Sequence, residues 1–462
     1  MSRSETRSGS HAVSSNGTAM MFLLLAFALT VFGIVMIYSA SSIVCLMSDD
    51  LGNNPAHYAS RQGIYALIGT GAAIALAWAD YHVWMERLRY FVWGGTVLLL
   101  LAVIFAGSSA YGASRWIQIG GFGLQPSEFA KITVILMAAA LLNEYYAEGS
   151  IDSRSLAVQA AICFVPIVLL IFKQPDKGTV LIMAITVAAM LFFAGFSPAA
   201  SGLTVLGVIC FILLYASFEP YARARMEVAR NPWIDPYGKG YQIIQGLYAF
   251  ACGGFSGVGL GMSRQKYSYL PMAHNDFIFA VIGEELGFVG TVLVLAAFLL
   301  LLYLGYRIAQ QASDLQGRLI ASGCVTMMMI QLLINTSGVL GIIPLSGKPI
   351  PFLSYGGSSI IMNLMLVGLV LSVARHSDVT QTSREERRSS FRVYDGRGAS
   401  GFRVLSGGVS TTPESLRESR DFASAYGDGR ISTNTNGTRR IDLGPSPSDR
   451  LRGRGASRGG RE

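Results

Sequence analysis

The sequence predicts an all-α polytopic membrane protein, with about ten transmembrane helices and a large extracytoplasmic loop between helices 7 and 8. Two observations and one physical constraint predict it. Of 462 residues, 52 % are hydrophobic and only 14 % are charged, whereas a soluble domain of this size carries roughly a quarter charged residues. Apolar runs of roughly 20 residues recur along the chain, and each can cross a hydrocarbon core about 30 Å thick. In lipid such runs must be helical, because no water is there to bond an open backbone.

The elements follow in order. Residues 1–18 are polar and Ser-rich, carry Arg3 and Arg7, and read as a disordered cytoplasmic tail. Spans are expected at 19–42, 63–79, 88–107, 128–143, 157–173, 178–196, 199–217, 277–305, 317–341 and 357–375. The first run is long enough to be a true span rather than a cleavable signal. The fifth and sixth spans are separated only by QPDKG, which predicts a tight helical hairpin.

An even number of spans puts both termini on one side, and Arg3, Arg7 and the Arg-rich C-terminal tail put that side in the cytoplasm. The short loops at Arg87 and Arg89 and at Arg307 and Arg318 agree, while the acidic loop at 143–156 gives no support. The loop at 218–276 faces outward although it is basic, because loops of that length translocate largely regardless of charge. The membrane domain is thus residues 19–376. The tail at 377–462, rich in Arg, Ser and Gly and without Lys, reads as disordered and cytoplasmic, in contact with anionic lipid rather than with nucleic acid. No internal repeat suggests an inverted-repeat transporter.

The cysteines exclude a metal-ligand cluster: Cys45, Cys163, Cys210, Cys252 and Cys324 have no paired spacing. Three lie in expected spans as small hydrophobes. Cys45 and Cys252 fall on the outer side, and no disulfide between them is expected.

The outward loops hold the candidate chemistry. YGASRWIQIGGFGLQPSE carries Arg115, KQPDKGT carries Lys173, Asp176 and Lys177, and the loop at 218–276 carries Arg223, Arg225, Arg230, Lys239, Arg264 and Lys266. Such a cationic set would attract a phosphate or pyrophosphate, although any one of these residues taken singly reads more readily as a solvated loop charge. PLSGKPIPFLSYGGSS, with Ser354 and Gly356, could form a backbone nest for an anion. Glu128 and Lys131 are spaced to pair on one helix face, as scaffold or as substrate contact. Glu284 and Glu285, in GEELG, sit either at membrane depth, where ionisable groups are functional, or at the interface ahead of a helix that begins later. Asp276 closes the long loop just before the apolar run FIFAVIG. There a carboxylate is partly desolvated and becomes a better base, and it also suits a helix cap. The two roles are compatible.

Together these segments resemble the SEDS family of peptidoglycan glycosyltransferases, which includes FtsW, RodA and SpoVE. The runs SRWIQIGGFGLQPSEFAKI, KQPDKGT, GYQIIQGLYAFACGGFSGVGLG, YLPMAHNDFIFAVIGEELGFVG and PIPFLSYGGSS stand in the family's order. The resemblance implies ten transmembrane helices and polymerisation of lipid II outside a bacterial plasma membrane. It maps the family's essential Asp onto Asp276 as the catalytic residue. Here LPMAHNDF stands where LPEAHTDF is typical, so no role of the replaced Glu carries over to Met272.

The resemblance further implies substrate contacts from Arg115, Glu128, Lys131, Asp176, Lys177, Lys239, Lys266, Glu285, Ser354 and Gly356, with Arg115, Lys131 and Lys266 preferred for the leaving diphosphate. A divalent cation, Mg2+ or Mn2+, could share that role, although no metal motif is visible. The implied partners are lipid II, a class B penicillin-binding protein that crosslinks the strand, other division proteins and membrane lipid. The extended tails and GEELG favour the division branch over the elongation branch. A lipid flippase and a non-catalytic division scaffold are the rival readings. Charges gathered in outward loops rather than at the midplane disfavour the flippase.

Overall fold

The computed structural model describes residues 5–390 apart from 107, 111–112, 120–121, 175 and 219, together with residues 431–433 and 439–441. Arg3 and most of the expected C-terminal tail lie outside the described residues, as do the side chains of Arg7 and Arg223.

The helices are α1 (Glu5–Leu46), α2 (His57–Trp78), α3 (Tyr81–Phe105, with a π turn at Trp84–Leu88), α4 (Pro126–Asn143), α5 (Ser153–Lys173), α6 (Lys177–Ala194), α7 (Pro198–Phe218), α8 (Pro220–Arg230), α9 (Tyr241–Gly253), α10 (Ile278–Gln311), α11 (Leu315–Val339) and α12 (Gly357–Ser390). Local chemistry sets several starts. Asp152 caps α5 by accepting from Ser155 N at 3.1 Å, Asp314 caps α11 by accepting from Gly317 N at 3.3 Å, and Pro126 opens α4.

Among the described residues eight helices are long and apolar enough to cross a membrane: α1, α3, α4, α5, α6, α10, α11 and α12. The other two expected spans fall on α2 and α7. Both are helical but are not among the eight. α2 opens on His57, Arg61 and Gln62 and is otherwise rich in Gly and Ala, which lowers its hydropathy. The α5–α6 hairpin forms as expected. α1 begins at Glu5 and α12 runs to Ser390, so both helices extend into segments read from sequence as polar tails. Residues 386–462 form a separate unit, in which β4 (Ile431–Thr433) pairs antiparallel with β5 (Arg439–Ile441).

Burial ranks the helices of the membrane unit. In α4, 94 % of the apolar window is buried, against 17 % in α3 and in α5. α4, α11 and α12 are therefore central, and the peripheral helices turn residues such as Phe91, Phe105 and Leu169 outward, as a lipid-facing surface requires.

Two of the loops expected to face outward are more ordered than the sequence suggests. Between α3 and α4, β1 (Ser108–Ala110), β2 (Ala113–Ile119) and β3 (Phe122–Leu124) form an antiparallel meander, with Ile117 opposite Leu124. The segment at 218–276 contains α8, a 3-10 turn at Pro232–Ile234, and α9.

α10 is broken. Gly287 adopts φ 68° and ψ −165° inside it, a left-handed conformation open to Gly and strained for other residues. The glycine-rich segment after α9 takes up the freed backbone groups. Phe288 N donates to Gly254 O at 2.9 Å, Val289 N to Phe255 O at 3.2 Å, Val258 N to Glu284 O at 3.0 Å and Gly259 N to Glu285 O at 3.0 Å. A Cβ on Gly257 would stand 2.2 Å from Glu285 O. The SGVGLG and GEELG runs thus form one interlock.

Candidate functional site

Asp276 lies at the end of the bundle where the segment at 218–276 meets the loop between α11 and α12. The sequence allowed it a capping role, but the structure does not use it so. Phe277 is the N-cap of α10, and no side chain caps that end. The Asp276 side chain is half-buried, with Oδ2 3.6 Å from where a Cβ on Gly347 would stand. Its backbone is pinned instead. Asn335 Nδ2 donates to Asp276 O at 3.0 Å and to Lys348 O at 2.7 Å, tying the two segments together through α11. Just upstream, His274 stacks on Tyr58 with ring centroids 4.3 Å apart, and its carbonyl accepts from Tyr355 N at 2.9 Å. Burial lowers the His274 imidazole to about 4, so it is neutral near pH 7. Burial also raises the Asp276 carboxyl, against the opposing pull of Lys348 and Arg225.

Beside Asp276 lies a buried ionic cluster. Lys348 Nζ stands 2.7 Å from Asp176 Oδ2 and 3.8 Å from Glu128 Oε1. Lys131 Nζ stands 2.9 Å from Glu128 Oε2 and donates to Gln331 Oε1. Gln331 Nε2 donates in turn to Pro349 O at 2.7 Å, locking α4 and α11 to the same loop. Asp176 also accepts from Ser127 Oγ at 2.8 Å and Thr179 Oγ1 at 2.9 Å. Burial by itself would raise its carboxyl, but Lys348, with Arg115 and Ser127, holds it well below the ordinary range. All four charged groups are at most 2 % exposed. Two carboxylates and two ammoniums leave the cluster neutral, the condition under which buried charges persist.

The other predicted contacts sort by place. Arg115, on β2, donates from Nε to Gln174 O at 2.8 Å and lies within electrostatic reach of Asp176. Lys177 opens α6 beside it. Ser354 Oγ accepts from Ile350 N at 2.8 Å, and Gly356 N donates to Gln62 Oε1 at 3.2 Å. Ser354 is therefore occupied within its own loop, and Gly356 ties that loop to α2.

Lys266 and Glu285 belong to a second cluster. Lys266 Nζ is 3.4 Å from Glu285 Oε1, and Ser39 Oγ donates to both Glu285 oxygens at 2.7 and 2.8 Å. Glu284 accepts from Ser263 Oγ and from Arg264 N at 2.8 Å. Both glutamates are fully buried within α10 and fasten the glycine-rich segment to it. The helix begins ahead of them, at Ile278, and not after them as the interfacial reading of GEELG required. Lys131 and Lys266, the cations expected at the diphosphate, are both buried and paired with glutamates inside the fold.

The exposed cations lie elsewhere. A cavity of about 220 Å³ is lined by Arg225, Val228, Gly238, Lys239, Gln242, Ile243 and Leu345. Arg225 Nη1 donates to Leu345 O at 3.2 Å, and its charge reaches Asp276. The cavity thus opens beside the loop that carries Lys348. Sequence reasoning singled out neither Lys348 nor Asn335. The available signal for Lys348 was a single Lys in an otherwise uncharged Gly/Pro loop. All five cysteines are unpaired, with Cys45 buried and Cys252 exposed. Among the described residues no group of three or more His, Cys, Asp or Glu side chains converges as a metal site.

Comparison with known proteins gives a consistent picture. The FtsW/RodA/SpoVE family, described as cell cycle protein, matches residues 19–379. A probable peptidoglycan glycosyltransferase FtsW of Geobacter metallireducens is 41 % identical over 360 residues, covering 77 % of this chain and 94 % of that protein. Stage V sporulation protein E of Bacillus subtilis is 40 % identical over 360 residues, covering 78 % of this chain and 97 % of that one. Among solved structures, a chain from a peptidoglycan synthase complex that coordinates polymerization and crosslinking aligns with TM-score 0.64 and 30 % identity, covering 78 % of this chain and 98 % of that one. The rod shape determining protein RodA of Thermus thermophilus aligns with TM-score 0.57 and 26 % identity, covering 77 % of this chain and 96 % of that one.

Proposed function

The chain belongs to the FtsW/RodA/SpoVE family of cell cycle proteins, and from that premise we propose that it polymerises lipid II into β-1,4-linked glycan strands during septal wall synthesis. In this reading Asp276 is the general base. It accepts the proton of the acceptor's N-acetylglucosamine 4-hydroxyl while that oxygen attacks the anomeric carbon of the lipid-linked donor. The carbon–oxygen bond to the diphosphate breaks on the opposite face, and undecaprenyl pyrophosphate leaves with the electron pair. A single displacement turns an α-linked donor into a β-linked product.

One observation carries the assignment. Asp276 is a half-buried carboxylate that serves no helix cap, and its charge is felt by Arg225, which lines a cavity together with Lys239. Burial raises its basicity, and partial exposure lets it meet substrate. Arg225 and Lys239 are suited to neutralise charge on the leaving diphosphate. Lys131 and Lys348 hold Glu128 and Asp176 as the rigid floor of the site. No step passes through a metal ion.

The multi-pass chain resides in the plasma membrane with both termini cytoplasmic, and works beside a class B penicillin-binding protein that crosslinks the new strand. The test is purified protein supplied with lipid II. Asp276→Ala and Asp276→Asn are expected to lose at least about 100-fold in polymerisation rate, with melting temperature unchanged. Full activity in folded Asp276→Ala would remove the assignment. Co-expression with the transpeptidase is expected to raise the rate.

A further inference from the structure

Lys348 is the unusual member of the site. It comes from the loop between α11 and α12, is 2 % exposed, and reaches across 172 residues of sequence to Asp176 at 2.7 Å. The same residue's carbonyl shares the Asn335 amide with the carbonyl of Asp276. Its neighbour Gly347 takes φ 65° and lies against Asp276 Oδ2. A Lys at this point therefore touches the carboxylate cluster with its side chain and the segment of the base with its backbone.

The charges around Asp276 come from few elements. α8 supplies Arg225, the α11–α12 loop supplies Lys348, and behind Lys348 stand Asp176 from the α5–α6 turn and Glu128 and Lys131 from α4. α11 contributes neutral Asn335 and Gln331, and the upstream loop contributes the neutral ring of His274.

We propose that Lys348 is a positioning residue for glycan polymerisation: its ammonium holds the Asp176–Glu128 cluster while its carbonyl shares the Asn335 amide with the carbonyl of Asp276, so that cluster and base are held in one arrangement. The inference rests on the reading of Asp276 as general base. Without Lys348 the buried cluster loses one ammonium, Arg115 still bears on Asp176, and Arg225 remains as the cation that bears on Asp276. Protonation of Asp276 then begins at higher pH, and activity is lost from the acid side. Lys348→Met alone strands Asp176, so the informative variant is Lys348→Met with Asp176→Asn. That pair leaves Glu128 and Lys131 balanced and removes only the coupling.

Two readouts are compared in wild type, Lys348→Arg, Lys348→Met and the double variant, all checked for folding by thermal melting. The first is the pH profile of kcat/KM for lipid II polymerisation. The second is the pH dependence of labelling at Asp276 by a hydrophobic carbodiimide, which reacts with the protonated carboxyl, read by mass spectrometry. The double variant is expected to move both the acid limb and the labelling midpoint up by about one pH unit, and Lys348→Arg to stay close to wild type. The labelling readout does not depend on turnover, so it decides the matter even for an inactive variant. A labelling midpoint in the folded double variant that superimposes on wild type would falsify the role of Lys348. If Asp276→Ala still abolishes polymerisation in that case, the base assignment stands without Lys348. If Asp276→Ala is active, both fall.

Discussion

At the scale of single residues, the site divides into groups that are committed and groups that are not. Asp176 is committed: it caps α6, accepts from two hydroxyls and pairs with Lys348. Removing one member of a buried ion pair costs about 3–5 kcal/mol, because the other charge stays behind. Asp176→Ala is therefore expected to lower the melting temperature in detergent sharply, and a melting temperature within error of wild type would contradict the ion-pair account. The pH dependence has a definite sign. Folding holds the Asp176 carboxyl below its ordinary value, so its contribution to stability is complete above about pH 4 and is lost as pH falls through the depressed folded-state value. Asp276 behaves in the opposite way. Burial raises its carboxyl, so polymerisation is expected to decline with acid at a pH above the usual carboxylate range. A kcat/KM profile in pH titrates it directly. Position singled out Asp276 in sequence, a carboxylate where a polar loop meets an apolar run, as cap or base alike, and the family resemblance supplied the catalytic role proposed for it. Lys348 was not singled out, since nothing near it in the chain names its partners.

At the scale of elements, the break in α10 governs the architecture of the working end. Gly287 and Gly257 occupy positions where a side chain meets backbone: a Cβ on Gly287 would stand 2.3 Å from Gly257 N. Gly287→Ala and Gly257→Ala are each expected to cost at least about 1–3 kcal/mol, seen as a lower melting temperature and easier proteolysis within residues 253–266. Gly71, on α2, is a matched contrast. A Cβ there meets nothing within 4 Å, so Gly71→Ala is expected to be neutral or stabilising by up to about 1 kcal/mol. The same break explains the buried glutamates. Glu284 and Glu285 receive donors from Ser263, Arg264, Ser39 and Lys266, and so bind a long loop to the helix. Sequence showed the concentration of glycine in these runs. It did not show that two glycine runs interlock, because that contact is made by backbone atoms, which carry no residue code.

At the scale of the whole molecule, a buried centre of α4, α11 and α12 is ringed by helices that face lipid. The candidate site lies at one end of this bundle. The other end is closed by pairs such as Arg89–Glu144 and Tyr81–Asp314. Every side chain placed at the site precedes Ser390, so a chain ending at Ser390 is expected to retain lipid II polymerisation and melting temperature. Loss of activity in that truncation would move part of the function into the tail. Loss of septal recruitment with activity intact would assign the tail a separate scaffold role.

Sequence by itself determined the solvent of this protein and the type of its elements. Long apolar runs and a low charge fraction are local properties, and in lipid they leave the backbone no alternative to helices. It also located Asp276 and the pairing of Glu128 with Lys131, since both depend on neighbours a few positions away. Tertiary structure alone decided which charges meet. Lys131 and Lys266 were drawn inward and neutralised, Arg225 and Lys239 were left facing a cavity, and Lys348 was set against Asp176 across 172 residues of chain. Those outcomes depend on how the helices pack, and packing brings together groups whose separation in sequence carries no information about their distance in space.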